Sequence, residues 1–135
     1  EIRTPKASMA ASDVSAVPEV RSFLFDLQRD IAVKNNCIMD GRDIGTVVLP
    51  NADVKIFLTA SPESRAMRRY KELKGKGASV GYDEVLADLK ERDYNDSHRK
   101  IAPLKPAKDS ITVDTTLFTL EESIKKITDI IREHM

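Results

Sequence analysis

The run Val54-Lys55-Ile56-Phe57-Leu58-Thr59 gives way almost at once to Ser61-Pro62-Glu63, and that junction constrains the fold more than any other stretch. The first segment is β-branched and largely apolar, as a buried strand requires. The second supplies a helix start: a serine to cap, a proline for the first turn and an acid for the dipole. The same order recurs downstream. Ile111-Thr112-Val113-Asp114 reads as a strand, and Thr119-Leu120-Glu121-Glu122 reads as a capping box that opens a terminal helix. Strands alternating with helices cannot be joined by tight hairpins. They imply an α/β chain whose strands run parallel, with helices on the faces of the sheet.

The remaining elements follow from periodicity and breakers. Residues 1–17, with Pro5 and scattered Ser and Ala, are expected to be irregular. Pro18 opens a helix whose apolar stripe, Val20, Phe23, Leu24, Leu27 and Ile31, extends to about Val33. Cys37-Ile38-Met39 is expected as a short buried strand. The helix begun at Ser61 runs to about Leu73 and is ended by Gly75 and Gly77. Asp83 is expected to cap the next helix, which presents Val85, Leu86 and Leu89 to a core and extends towards Asp93. Pro103 and Pro106 make Ile101–Pro106 a loop, and Ile124, Ile127, Ile130 and Ile131 face inward from the last helix. Three strands are few, since a sheet commonly has about five or six. A piece is therefore expected to be absent.

The bulk numbers exclude little but do so usefully. With 135 residues the chain is long enough for one domain with one core. Lys plus Arg and Asp plus Glu are both 22, so there is no basic excess of the kind a general nucleic-acid binder carries. No apolar run approaches a membrane span, and Glu-Ile-Arg-Thr-Pro is no signal peptide. Cys37 has no second cysteine to pair with, which suits a reducing cytoplasm. A start without methionine suggests a fragment or a processed product. His98, His134 and Cys37 lack the spacing of a metal site, so no metal ligands are expected here.

Four groups of residues can carry chemistry. Arg42-Asp43 lies in Gly41-Arg42-Asp43-Ile44-Gly45-Thr46-Val47-Val48-Leu49-Pro50, at the end of the apolar Cys37–Met39 stretch. Ligands of α/β proteins sit at the carboxyl ends of strands. There an arginine can grip a phosphate as a fork while an aspartate accepts from a base amine or hydroxyl. A structural ion pair fits the same two residues equally well. Arg65, Arg68 and Arg69 share one helical face, where like charges repel unless an anion intervenes. Glu63 and Glu72 offer a plainer neutralisation of that face. Arg92 through Lys100 is a polar run in which a helix end dissolves, with Arg92, Asp96 and Arg99 near helical spacing. Ser12 and Arg21 complete the set but mean nothing alone. No glycine-rich phosphate loop occurs anywhere in the sequence.

Together, Gly41–Val48 and the stretch from Lys90-Glu91-Arg92-Asp93 to Ala102-Pro103-Leu104 resemble the bacterial cytidylate kinases. The likeness extends from Ala11-Ser12-Asp13-Val14 through Pro18-Glu19-Val20-Arg21 to the terminal helix. It implies a P-loop-kinase-like, three-layer α/β/α fold with a parallel sheet, here without the P-loop strand. Residues 1–135 would then be a single-domain C-terminal portion with an arginine-rich lid at about 65–100. The implied activity is transfer of the γ-phosphoryl of ATP, with Mg²⁺, to CMP or dCMP. The resemblance places Ser12, Arg21 and Asp43 around the cytosine. It puts Arg42 and Arg99 on phosphate, and Arg92 and Asp96 near the ribose. It makes Arg68, Arg69 and Arg99 catalytic, with Arg65 and Arg68 nearest the ATP. The Gly-rich loop and the Mg²⁺ ligands belong to an N-terminal segment that the sequence lacks. The chain is accordingly expected to be inactive alone, cytoplasmic, free of nucleic acid and membrane, and complemented by that segment in trans. Two other readings stay open: a nucleoside monophosphate kinase of different base specificity, and a non-catalytic nucleotide-binding or assembly module.

Overall fold

The computed structural model describes residues 5–15 and 17–134. The order is α1 (Pro5–Ser15), α2 (Pro18–Lys34), a π-helical turn at Ile44–Val48, and β1 (Ile56–Thr59). There follow α3 (Pro62–Gly75), α4 (Tyr82–His98), β2 (Ile111–Asp114) and α5 (Leu120–His134). β1 and β2 form a two-stranded parallel ladder in which Ile56 faces Ile111 and Thr59 faces Asp114. The α/β class and the parallel sense of the strands are as the sequence implied.

Several starts and stops follow the sequence closely. The Ser61 hydroxyl caps α3 by accepting from the Ser64 amide at 3.1 Å, and Pro62 occupies the first turn. At the far end the chain closes in a Schellman motif. The Ala78 amide reaches the Leu73 carbonyl at 3.0 Å and the Gly77 amide reaches Lys74 at 2.9 Å. This requires a left-handed residue, and Gly77 supplies it with φ of 78°. Thr119 and Glu122 form the expected reciprocal capping box. The Glu122 amide donates to the Thr119 hydroxyl at 3.2 Å, and the Thr119 amide donates to the Glu122 carboxylate at 2.8 Å.

Four expectations are corrected. The N-terminal stretch from Pro5 to Ser15 is helical. Its alanines are the strongest helix formers, and Pro5 stands at the one end of a helix where it is tolerated. Cys37-Ile38-Met39 forms no strand. A strand needs a ladder partner for its backbone, and among the described residues β1 and β2 pair only with each other. Cys37 is consequently an exposed free thiol rather than a core residue. Helix α4 is entered through Gly81, whose amide donates to the Glu84 carboxylate at 3.4 Å, so Asp83 lies within the first turn instead of capping it. That helix also continues beyond Asp93 to His98. The polar run stays helical because its side chains bond along the helix: the Ser97 hydroxyl donates to the Asp93 carbonyl at 2.7 Å, and Arg92 faces Asp96 one turn away.

The best-packed part of the molecule is the α3–α4 hairpin. Ala66, Leu73 and Val85 are buried there, with Tyr70, Ala78, Val80, Tyr82, Leu86 and Leu89 packed around them. The Tyr70 and Tyr82 rings meet edge to face, centroids 6.2 Å apart. The α2 stripe fares differently. It buries no residue fully, and Phe23 is 70% exposed. On α5 the inward face is also narrower than expected: Ile130 is buried and Ile127 and Ile131 are half-buried, but Ile124, expected to face inward, is exposed.

Candidate functional site

The Arg42-Asp43 pair is held by the turn that follows it. The amides of Val47 and Val48 both donate to the Asp43 carbonyl, at 2.8 and 3.2 Å, and so wind the π-helical turn. Arg29 of α2 fastens this turn by donating from Nε to the Val48 carbonyl at 2.9 Å, its guanidinium resting on the Phe25 ring. Gly41 is required by close approach, because a Cβ there would lie 2.8 Å from Cγ1 of Ile44.

Around this pair the fold gathers residues that are far apart in sequence. Arg21 of α2 donates to the Asp43 carboxylate, whose other oxygen lies 3.8 Å from Nη2 of Arg99. Arg42 donates from Nε to Asp96 at 2.8 Å, and Arg92 approaches the same Asp96 oxygen at 3.9 Å. Asp96 is only 5% exposed. Its carbonyl accepts from the Leu104 amide at 2.8 Å, folding the 99–104 loop back over the helix end. Arg99 turns the same loop, donating from Nε to the Ala102 carbonyl at 2.7 Å. Ala102 pays for that turn with a φ of 48°, in the left-handed region.

The result is a cluster of four guanidiniums, Arg21, Arg42, Arg92 and Arg99, against two carboxylates, Asp43 and Asp96. Two positive charges are left over. Nε of Arg92 and Nη2 of Arg99 are buried without a hydrogen-bond acceptor. A buried donor left unmade is costly, and the nearest carboxylate oxygens, on Asp96 and Asp43, lie 3.9 and 3.8 Å away, beyond hydrogen-bond reach. The structure thus brings together Arg21, Arg42, Asp43, Arg92, Asp96 and Arg99. Ser12 falls in α1, and its side chain lies outside the described residues.

The three arginines of α3 do not crowd as their spacing suggested. Arg65 makes a two-pronged pair with Asp93 of α4, at 3.0 and 2.7 Å, and its Nε donates to the Ala60 carbonyl at 2.9 Å. Arg68 reaches the loop after β2, donating to the Thr115 carbonyl and to the Phe118 carbonyl at 3.2 Å. Arg69 turns to Glu72 at 2.8 Å. Of the two acids expected to neutralise this face, Glu63 reaches Arg65 only through a longer-range attraction, while Glu72 pairs directly. The Lys76 ammonium and the Arg69 guanidinium beside it pull its pKa down to about 2. Glu63 pairs instead with Lys90 at 3.2 Å.

A second group of polar residues escaped the sequence reading. Ser61, Asp114, Thr116, Leu117 and Phe118 line a cavity of about 510 Å³ at the carboxyl ends of β1 and β2. The Thr116 hydroxyl accepts from the Ser61 amide at 2.8 Å, and the Thr116 amide donates to Asp114 at 2.8 Å. The Thr116 hydroxyl and amide together hold the Asp114 carboxyl below its usual range. The strand-end rule used for Arg42-Asp43 would have found this group too. Among the described residues no three His, Cys, Asp or Glu side chains converge to hold a metal ion. No helix among them is long and apolar enough to cross a membrane.

Parallel strands, flanking helices and guanidiniums in excess over carboxylates are attributes of α/β proteins that handle phosphorylated ligands. Comparison with known proteins narrows that class. The profile of the family described as cytidylate kinase matches residues 1–133, and the chain belongs to that family. The cytidylate kinase of Fervidobacterium nodosum is 54% identical over 133 residues, covering 98% of this chain and 61% of that protein. That of Pasteurella multocida is 49% identical over 135 residues, covering all of this chain and 60% of its own. That of Clostridium tetani is 53% identical over 131 residues, with 97% and 58% covered. The chain thus spans about 60% of the length of these relatives.

Proposed function

We propose that this chain supplies the substrate-binding and arginine-rich part of a cytidylate kinase, which moves the γ-phosphoryl of ATP to CMP or dCMP and yields CDP or dCDP. Family membership supports the reaction class. The observation that carries the substrate side is the Arg21–Asp43–Arg99 and Arg42–Asp96–Arg92 cluster, in which four guanidiniums face two carboxylates. A nucleotide monophosphate brings both a dianionic phosphate and a base edge to such a cluster.

In this reading Arg42 and Arg99 bind the phosphate, Arg92 and Asp96 lie at the ribose, and Ser12, Arg21 and Asp43 read the cytosine. Cytosine has acceptors at O2 and N3 and a donor amine at position 4. An arginine can donate to the former while a carboxylate accepts from the latter. Uracil reverses the polarity at N3 and at position 4, leaving both protein groups unpaired. Sites of that kind discriminate by up to roughly 10⁴–10⁵-fold. Residues of about 65–100 act as the lid, the α3–α4 hairpin having a core of its own. Arg68, Arg69 and Arg99 neutralise charge on the transferring phosphoryl, with Arg65 and Arg68 towards ATP. Positioning and charge neutralisation are most of what a protein contributes to phosphoryl transfer.

Magnesium supplies charge neutralisation of the phosphates when it is bound in this class of enzyme. Among the described residues no three His, Cys, Asp or Glu side chains converge to hold that ion. We place the protein in the cytoplasm, in keeping with its free Cys37 thiol, with neither nucleic acid nor membrane as a partner. Without a glycine-rich loop in its sequence, the chain alone should not turn over ATP.

Calorimetric titration with CMP, and with UMP as control, tests the reading. CMP should bind at least ten-fold tighter than UMP, and Arg42→Ala should abolish the CMP signal. Equal binding of the two nucleotides overturns the cytosine assignment, and binding of neither overturns the cluster as a substrate site.

A further inference from the structure

The arginine–aspartate cluster draws on the half of α4 that no apolar core holds. Where α3 meets α4 the buried side chains are Ala66, Leu73 and Val85, and Leu89 is the last residue of α4 packed among them. Beyond it the helix reads Lys90-Glu91-Arg92-Asp93-Tyr94-Asn95-Asp96-Ser97-His98, without an aliphatic side chain, and Tyr94 is 63% exposed. Asp96 therefore stands about 10 Å along the axis from Leu89, at ~1.5 Å per residue. A tilt of α4 by about 10° over that length displaces Asp96 by roughly 2 Å. That is enough to break its 2.8 Å bond with Arg42.

Polar contacts must set the direction of this half of the helix. The Lys90–Glu63 pair does little, because both side chains are more than half exposed. The Arg65–Asp93 pair is built differently. Nη1 and Nη2 of Arg65 donate to the two carboxylate oxygens of Asp93 at 3.0 and 2.7 Å. Its Nε donates at the same time to the Ala60 carbonyl at 2.9 Å. Ala60 directly follows β1 and is buried. A two-pronged pair fixes rotation as well as distance, so one planar side chain sets α4 against the end of the strand. Asp93 is next to Arg92 and three residues before Asp96, on the stretch that the tilt would move most.

We propose that Arg65 and Asp93 are positioning residues for the substrate cluster. Anchored on the Ala60 carbonyl, they hold α4 at the angle where Asp96 meets Arg42 and where Arg92 and Arg99 face a bound nucleotide. What the cluster binds rests on the functional reading above; how it is held does not. Arg65 thereby has a task apart from any contact with ATP. The guanidinium is needed for its shape more than for its charge. A lysine ammonium lacks the planar fork that serves both carboxylate oxygens while a third N–H reaches a carbonyl.

The test uses the full 135-residue chain, with and without CMP. Solvent exchange of the Arg42 Nε proton, followed by NMR, reports the Arg42–Asp96 bond directly. Arg65→Ala and Asp93→Ala should each speed it at least ten-fold, while the Leu73 and Val85 amides keep their parent rates. In calorimetry both variants should weaken CMP binding by roughly ten- to a hundred-fold, the scale of a misplacement of about 1 Å. The double variant should be no worse than either single one, because the two residues act as a unit. Arg65→Lys should behave as Arg65→Ala does. Recovery with lysine, additive losses in the double variant, an unchanged Arg42 proton, or faster exchange of the Leu73 and Val85 amides each overturns the proposal. A parent chain that binds no CMP, but whose Arg42 proton responds as stated, upholds the positioning role and overturns the substrate reading instead.

Discussion

The α3–α4 hairpin and the α2–β1 region begin from the same kind of sequence and end in different states. Each contains amphipathic elements with apolar residues at correct spacing. In the hairpin, Ala66, Leu73 and Val85 are buried and ringed by Tyr70, Tyr82, Leu86 and Leu89, because the two helices find each other across the short Lys76–Gly81 connection. In α2 the stripe is just as regular, yet none of its residues is fully buried. An apolar face records that a helix is meant to be covered. It does not say by what.

The contrast can be broken most sharply by paired truncations. Leu73→Ala should cost about 2–4 kcal/mol, the usual range for a buried leucine that leaves a cavity. Leu27→Ala should cost less than about 1 kcal/mol, since nearly half of that side chain is already in water. Urea unfolding of the two variants decides the matter, and similar losses for both would show that α2 is packed after all.

The next effect concerns the joint between the two regions. Asp96 of α4 holds Arg42, which follows α2, and it is 5% exposed. Asp96→Asn should lower stability by about 1–3 kcal/mol, because the guanidiniums lose their charged acceptor in a partly dry site. It should also speed amide exchange in the Ile44–Val48 turn while leaving the α3–α4 amides protected. Uniform loss of protection would mean the regions unfold as one unit.

Within the hairpin, Gly77→Ala should cost roughly 1–2 kcal/mol, the penalty for placing a Cβ at a left-handed φ. Thermal melts measure it directly, and a neutral result would mean that the Schellman turn relaxes without strain. The smallest effect is electrostatic. The folded-state pKa of Glu72 is depressed to about 2 from an ordinary 4.5, chiefly by Lys76 and then by Arg69. A depressed carboxylate adds stability that is present above pH 4.5 and fades as pH falls towards 2. The melting curves of Glu72→Gln and the parent chain should therefore differ at neutral pH and converge near pH 2. A gap that persists there would point to a lost contact other than charge.

Much of the local structure could be read from single residues. Ser61 and Pro62, Gly77, Thr119 and Glu122 each act through bonds within one turn, and each does in the structure what its chemistry predicts. The two misread stretches differ in cause. Cys37–Met39 has a strand's composition but, among the described residues, no neighbour to pair with, whereas in α1 the helix propensity of the alanines outweighs the serines and the proline. At the candidate site the sequence identified the arginines but not their partners. Arg65, Arg68 and Arg69 looked like one charged face, and the fold sends them to Asp93, to the Thr115 and Phe118 carbonyls, and to Glu72.

The sequence by itself therefore determined the α/β class, the parallel sense of the strands, most helix ends and the family, since these depend on local patterns and on order along the chain. Only the tertiary structure decided that Arg21 meets Asp43, that Arg42 shares Asp96 with Arg92, and that Nε of Arg92 and Nη2 of Arg99 are buried without acceptors. Those contacts join residues up to 56 positions apart, as Asp43 and Arg99 are. A charge carries no label for its partner, so which groups it meets and how dry they become is fixed only when the helices pack.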